Sequence, residues 1–304
     1  MNVTQPTMSR SIQELELHAG SRLFDRSQHG VQPTDAGLRF LMHARELVSR
    51  SEDLEREMNL LKGLEKGGLR IAAGTFPSHM YVDRAISRFI REHPAVRISL
   101  VTENWGILLQ RLRKREFDLA VLDGTAAESD PELHVTKLQN HSGYFVMRAG
   151  HPVLKNKGGI AIDQTLKYPL VTTSRFPMDM FKHLAEIMME AKMPGMRRAR
   201  VLTTVTCESL PMMKSIAMNS DAITILPLNV FYDEVLSGTL VAIPAPDWVR
   251  ANFGIVHLGH RSLSPVGEEF VEMVQQADAE LSAWEKDAVM QLVKRKLLPA
   301  EPRR

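Results

Sequence analysis

Cysteine is nearly absent from this chain of 304 residues. The single thiol, Cys207, allows no internal disulfide and no cysteine-based zinc cluster, which fits a reducing compartment. No apolar run is long enough to cross a bilayer. The polar N-terminus also lacks the basic-then-apolar pattern of an export signal, so a cytoplasmic location with no membrane partner is expected. Excess charge of either sign is missing as well: the formal net charge is +2, and residues 1–33 balance three arginines against Glu14, Glu16 and Asp25. Electrostatics alone therefore does not announce nucleic acid. Enzyme signatures are wanting too. There is no glycine-rich nucleotide cradle, no Gly-x-Ser-x-Gly elbow, and no His-x-x-x-His zinc spacing among the eleven histidines. The expectation is a protein without catalysis, cofactor or metal.

What is present is a composition of 44% hydrophobic and 24% charged residues, that of a folded globular protein, in a chain long enough for more than one domain. Its most informative stretch is the beginning. Thr4 can cap a helix, Pro6 is tolerated in a first turn, and Met8, Ile12 and Leu15 recur at helical spacing. That arrangement turns Gln5, Thr7, Ser9 and Arg10 outward. Such side chains suit a DNA groove, where glutamine pairs with adenine and arginine with guanine or phosphate. A solvated surface helix would carry the same pattern.

Three motifs decide the matter by resemblance. Gln5-Pro6-Thr7-Met8-Ser9-Arg10, then Gly20-Ser21-Arg22-Leu23-Phe24-Asp25-Arg26, then Thr34-Asp35-Ala36-Gly37 stand in the order and spacing of the DNA-binding end of the LysR-type transcriptional regulators. The resemblance implies a winged helix-turn-helix over residues 1–33, present in part. Its expected DNA contacts are Thr4, Gln5, Pro6, Thr7, Ser9, Arg10, Arg22, Arg26 and Thr34. The family's first helix and the helix that braces the reader would lie ahead of residue 1, and we expect a start assigned too late in preference to a real truncation.

From Thr34 to about residue 62 there is no proline, and Phe40, Leu47, Leu54 and Leu61 recur every seven residues, with Ala44, Ser51 and Met58 on the alternate seam. This predicts a linker helix over 34–66 with an apolar stripe that needs a partner. The resemblance implies a dimer through this helix and a tetramer of such dimers. Gly63, Gly67 and Gly68 then mark a domain boundary.

Beyond the glycines, short apolar strands alternate with amphipathic helices, an order that predicts a mainly parallel α/β sheet with ligands beyond the strands' carboxyl ends. Strands are expected at 69–73, 96–101, 117–122, 143–147, 169–173, 200–203, 222–226, 240–243 and 253–258. Helices are expected at 80–92, 106–115, 176–191, 208–219 and 228–236, and a last one capped by Ser264. The reading is two Rossmann-like lobes: 67–147 with 252–290, and 148–251, crossing at 147–152 and 244–246. A basic tail would occupy 291–304. This agrees with the type II periplasmic-binding-protein-like sensor that the resemblance implies.

Candidate effector contacts are Thr75, Phe76, Ser78, Thr102 and Asp123 from one lobe, and Thr173, Ser174, Arg175, Thr204, Cys207 and Pro227 from the other. Hydroxyls converging with one arginine suit an anionic or sugar-like molecule, because helix N-termini and hydroxyls favour such groups. Ser78 and Ser174 serve equally well as helix caps, and Thr102 and Thr173 as plain strand residues. Cys207 has no second thiol with which to switch. The function expected is a regulator of double-stranded promoter DNA controlled by a small molecule. The other reading is a truncated ligand-binding module without DNA binding.

Overall fold

The structure is a computed structural model and describes residues 5–27, 30–61, 68–125, 127–155, 162–173, 183, 186 and 205–298. Contacts divide the chain into two units, Met1–Leu64 and Glu65–Arg304.

The first unit runs α1 (Gln5–Ala19), β1 (Phe24–Ser27), β2 (Gly30–Pro33) and α2 (Asp35–Leu61). Helix α1 stops at Gly20, whose φ of +62° lies in the left-handed region that glycine enters without strain. The Glu16 carboxylate then accepts the backbone N–H groups of Leu23 and Phe24, at 2.7 and 3.0 Å. This pins the entry to the β1–β2 hairpin, whose register pairs Phe24 with Pro33 and Ser27 with Gly30. Thr34 closes the unit. Its hydroxyl donates to the Arg22 carbonyl at 2.7 Å and accepts from the Gly37 N–H at 3.0 Å, capping α2. Gly37 packs so closely on the preceding turn that a Cβ there would lie 2.0 Å from the Leu23 carbonyl oxygen. Within the heptad stripe of α2, Leu47 and Leu54 are exposed at 68% and 60%, while Phe40 and Ala44 are half-buried.

The second unit holds two sheets. The first has the order β4-β3-β5-β13-β6, from β3 (Gly68–Ala73), β4 (Arg97–Thr102), β5 (Leu119–Asp123), β6 (Leu133–Lys137) and β13 (Phe253–Leu258). The second has the order β11-β7-β10-β8-β9, with β12 beside β7. Its strands are β7 (His141–Arg148), β8 (Leu170–Thr172), β9 (Val205–Thr206), β10 (Ile223–Pro227), β11 (Leu240–Pro244) and β12 (Arg250–Ala251). Each sheet is three parallel strands followed by an antiparallel pair. Strands β4, β3 and β5 run parallel, as do β9, β8 and β10, while β13 and β7 enter antiparallel. The two lobes therefore repeat one plan.

Strand β3 shows why the sheets are buried on both faces. Leu69, Ile71 and Ala73 pack into one core, with Tyr81 and Phe89, while Ala72 joins another, with Leu108 and Leu112. The helices supplying these residues are α3 (Asp83–Glu92), preceded by a helical turn at Thr75–Pro77 and a π turn at Ser78–Val82, and α4 (Trp105–Arg113). In the second lobe α5 (Leu210–Asn219) and α6 (Leu228–Leu236) supply Met213 and Phe231. Helix α7 (Pro265–Lys294) begins at Ser264, whose hydroxyl accepts the Gly267 N–H, the cap that its sequence announces.

Three expectations shift. The chain leaves the first lobe between Lys137 and His141, earlier than the 147–152 stretch, because β7 already belongs wholly to the second sheet. It returns at Asn252, where the second lobe was expected to end, but the 244–246 stretch is not the crossing, because β12 still pairs with β7. Residues 291–298 form no tail: Leu292 and Leu298 are buried in the second lobe's core. The helix expected at 176–191, the strand at 200–203 and the last residues, 299–304, lie outside the described residues.

Candidate functional site

A cleft of about 910 Å³, counting its open mouth, lies between the two lobes. Its floor follows from the fold. Both sheets aim the carboxyl ends of their parallel strands at it: Gly74 to Pro77 after β3, Asp123 at the end of β5, Thr172 closing β8 with Thr173 after it, and Pro227 closing β10. Phe76, Trp105, Ile225, Val249 and Phe253 give it an apolar wall, and Glu103, Asp123 and Glu208 bring carboxylates. A hydrogen bond between described residues crosses it. The Thr75 hydroxyl, on the first lobe, donates to Glu208 Oε2, on the second, at 2.5 Å.

Of the effector residues expected from sequence, Thr75, Phe76, Asp123, Thr173 and Pro227 line this cleft together. Ser78 does not: it is buried and its hydroxyl donates to the Thr75 carbonyl at 2.8 Å, so it shapes the turn beneath the cleft. Thr102 is exposed at the end of β4, as a strand residue with good β-propensity can be. Cys207 turns to the second lobe's core, and its sulfur accepts the Ser209 N–H at 3.4 Å. Ser174, Arg175 and Thr204 lie outside the described residues.

Sequence reasoning missed Asn104, His141, Glu208 and Phe253. Asn104 was legible in principle, since its side chain accepts the Gly106 N–H at 2.9 Å as an ordinary N-cap of α4. His141 carried no signal. It is buried at the start of β7, with Nε2 2.8 Å from Asp278 and Nδ1 2.7 Å from Glu285, both on α7. Burial alone pushes the imidazole pKa down, but the bonds to the two carboxylates outweigh it and raise the value to about 9. At neutral pH both ring nitrogens are therefore donors.

The first unit presents a second surface. Gln5, Pro6, Thr7 and Arg10 are exposed on α1, with Ser9 half-buried beside them. Arg22 is exposed on the turn that precedes the hairpin, and Arg26 lies in β1 opposite Val31. Thr34, expected as a DNA contact, is committed by its hydroxyl to Arg22 and Gly37, so its part is to hold the hairpin on α2. Thr4 lies outside the described residues.

Comparison with known proteins matches both parts. Residues 1–38 match the bacterial regulatory helix-turn-helix protein, lysR family, and residues 62–279 match the LysR substrate binding domain. A Pseudomonas protein named SDS degradation transcriptional activation protein is 32% identical over 283 residues, covering 92% of this chain and 89% of its own length. The HTH-type transcriptional regulator CbbR of Rhizobium meliloti is 33% identical over 153 residues, 50% of this chain and 48% of its own. Among solved structures, a mutant of Corynebacterium glutamicum OxyR bound to hydrogen peroxide aligns at TM-score 0.58 and 18% identity, over 92% of this chain and 86% of its own. HinK from Pseudomonas aeruginosa aligns at 0.52 and 20%, over 90% and 89%. At such identities these two speak for the fold: a helix-turn-helix followed by a two-lobed effector domain. A helix and capped hairpin within the match to the LysR-family helix-turn-helix, and a two-lobed cleft within the match to the LysR substrate binding domain, place this chain in the LysR family of DNA-binding transcriptional regulators.

Proposed function

We propose that this chain binds double-stranded promoter DNA through α1 and the β1–β2 hairpin, and that a small molecule in the interlobe cleft modulates that binding. The observation that carries the reading is the cleft itself, lined from both lobes and spanned by the Thr75–Glu208 bond. A molecule bridging the lobes favours one arrangement over another, and only such differential binding can shift an equilibrium. The exposed seam of Leu47 and Leu54 supports self-association through α2. The assembly we infer is a tetramer built from such dimers, working in the cytoplasm; no helix among the described residues is long and apolar enough to cross a membrane.

Of the anionic or sugar-like effectors expected from sequence, the described lining supports the sugar-like, hydroxyl-rich kind. Glu103, Asp123 and Glu208 accept hydrogen bonds from hydroxyl groups; the arginine in the described lining, Arg250, has its guanidinium on Asp247 at 3.1 Å, and Arg175 lies outside the described residues. The wall of Phe76, Trp105 and Phe253 adds an apolar body to the ligand. Alkyl glycosides and fatty alcohols therefore head the panel to be screened by thermal shift. Alkyl sulfates join them because a relative matched over 89% of its own length is named SDS degradation transcriptional activation protein. Thr75→Val keeps the side-chain shape and removes the hydroxyl. It should weaken the bound compound by roughly tenfold, the worth of about one hydrogen bond. A panel without any stabilising compound, or a Thr75→Val variant that binds as the parent does, would place the effector elsewhere.

The DNA half has its own test. Arg10→Ala should weaken promoter binding by about 1–3 kcal/mol, as expected for one base or phosphate contact, and leave effector binding unchanged. Equal gel-shift affinities for variant and parent would remove α1 from the reading role.

A further inference from the structure

Three pieces of chain join the lobes. Residues 138–140 lead from β6 into β7, Asn252 leads from β12 into β13, and α7 runs from one core into the other. At 1.5 Å per residue this helix of 30 residues is about 45 Å long. Its first half buries Phe270, Val274, Ala277 and Leu281 in the first lobe. Its second half buries Ala288 and Leu292 in the second, and Trp284 touches both cores at the changeover. A stiff helix embedded on both sides resists any change of angle between the lobes, because close-packed contacts do not stretch.

His141 sits at that changeover. Its two carboxylate partners, Asp278 and Glu285, are seven residues apart on α7, two turns along one face. Asp278 also accepts the backbone N–H of Gln139, on the connecting segment, at 2.8 Å. One imidazole, wholly buried, thus clasps the connector, the first strand of the second lobe and the strap helix, at a residue that borders the cleft. Among the described residues, Tyr81, whose ring centroid lies 6.2 Å away, and Tyr144 on the same strand are the other titratable groups around it.

We propose that His141 is the positioning residue that sets the angle between the two lobes, holding the C-terminal helix at the hinge through both ring nitrogens. The proposal takes its regulatory meaning from the effector cleft described above: a ligand that shifts one lobe against the other works against the strap that His141 holds. Losing one proton turns one ring nitrogen into an acceptor facing a carboxylate, and the clasp opens on that side. Both tyrosines stay neutral throughout. Burial, then the charges of Asp278 and Glu285, hold Tyr81 well above its ordinary value; burial and then Glu285 bring Tyr144 to about 12. Within this cluster His141 is thus the group that opens the clasp as pH rises past about 9.

Pulsed EPR on the full chain, without ligand, tests this. Labels at Gln110→Cys on α4 and Met212→Cys on α5, both exposed sites, report the interlobe distance in a Cys207→Ser background. The parent should give one narrow distribution at neutral pH that broadens reversibly above about pH 9. His141→Gln, which offers a single donor group, should be broad at both pH values and insensitive to the change. A narrow distribution in His141→Gln, or a parent distribution that ignores pH, overturns the proposal. Should that variant not fold, Glu285→Gln keeps the size of one partner and removes its charge. It should give an intermediate width, and an unchanged width overturns the proposal equally. Since no effector is added, a failed effector screen and a failed hinge are separate results.

Discussion

Gly37→Ala is expected to abolish promoter binding while leaving the melting of the effector domain at the parent's temperature. The added methyl would sit 2.0 Å from the Leu23 carbonyl oxygen and 2.9 Å from the carbonyl carbon, both backbone atoms that no rotamer change can move aside. Relief requires α2 to shift away from the turn at Leu23. That shift breaks the Thr34 hydroxyl bonds to Arg22 and Gly37 and the Thr34 N–H bond to the Leu23 carbonyl at 3.0 Å. Overpacking of this kind costs about 1–3 kcal/mol or more, and the lost cap adds about 1 kcal/mol. The first unit has little to set against it, since Leu23 is the buried hydrophobic residue among its described positions. The second unit has four apolar clusters of its own, so its transition should stay where it is. Circular dichroism melts and gel shifts on the same preparation decide the matter. A variant that binds DNA as the parent does would show that the turn and α2 need not meet so closely.

That glycine also shows what the sequence made legible. The Thr34-Asp35-Ala36-Gly37 run is readable as a helix start because a cap, an acidic first turn and a glycine are local facts. Thr34 was nevertheless expected to contact DNA, and it holds backbone instead: nothing local says whether an exposed-looking hydroxyl already has partners. Most strands of the second unit were readable for the same local reason, as apolar runs between breakers. The lobe crossing was not. Residues 138–140 are Leu138, Gln139 and Asn140, without glycine or proline to punctuate them, whereas Gly150 and Pro152 mark a turn within one lobe. His141 was wholly invisible because its partners lie 137 and 144 residues away. The cleft fell between these cases. Loops after strands can be located from periodicity, which found Thr75, Asp123, Thr173 and Pro227. Whether a side chain on such a loop faces the cleft or the core depends on a turn's geometry, which separated Thr75 from Ser78 only three residues later.

Asp118→Ala should be among the most destabilising substitutions in the second unit, by about 3–5 kcal/mol, the range for breaking a buried ion pair on one side. Asp118 stands at the entry to β5 with its side chain 6% exposed. One carboxylate oxygen accepts the backbone N–H of Arg70 at 2.8 Å, and the other faces the guanidinium groups of Arg70 and Arg261 at 3.2 and 3.3 Å. Its own N–H donates to the Arg70 carbonyl at 2.8 Å. The single side chain thereby fixes β3 against β5 and ties in the turn after β13, three of the strands that carry the first lobe. Alanine would leave a backbone donor and two guanidinium groups facing the space the carboxylate filled. Asparagine should cost less than alanine, because its carbonyl oxygen can still accept the Arg70 N–H while the charge is lost. Urea unfolding distinguishes the cases: the midpoint should fall in the order parent, asparagine, alanine with an unchanged slope, as for a loss of stability without a change in exposed surface. Against a total stability of about 5–15 kcal/mol for a domain, the alanine variant should lose a large share of the margin that keeps the unit folded. If alanine and asparagine proved equally mild, the two arginines would be finding water as good a partner as Asp118. The carboxylate would then be a surface ornament, and the register of β3 against β5 would have to be held by Leu69, Ile71 and Leu119 packing alone.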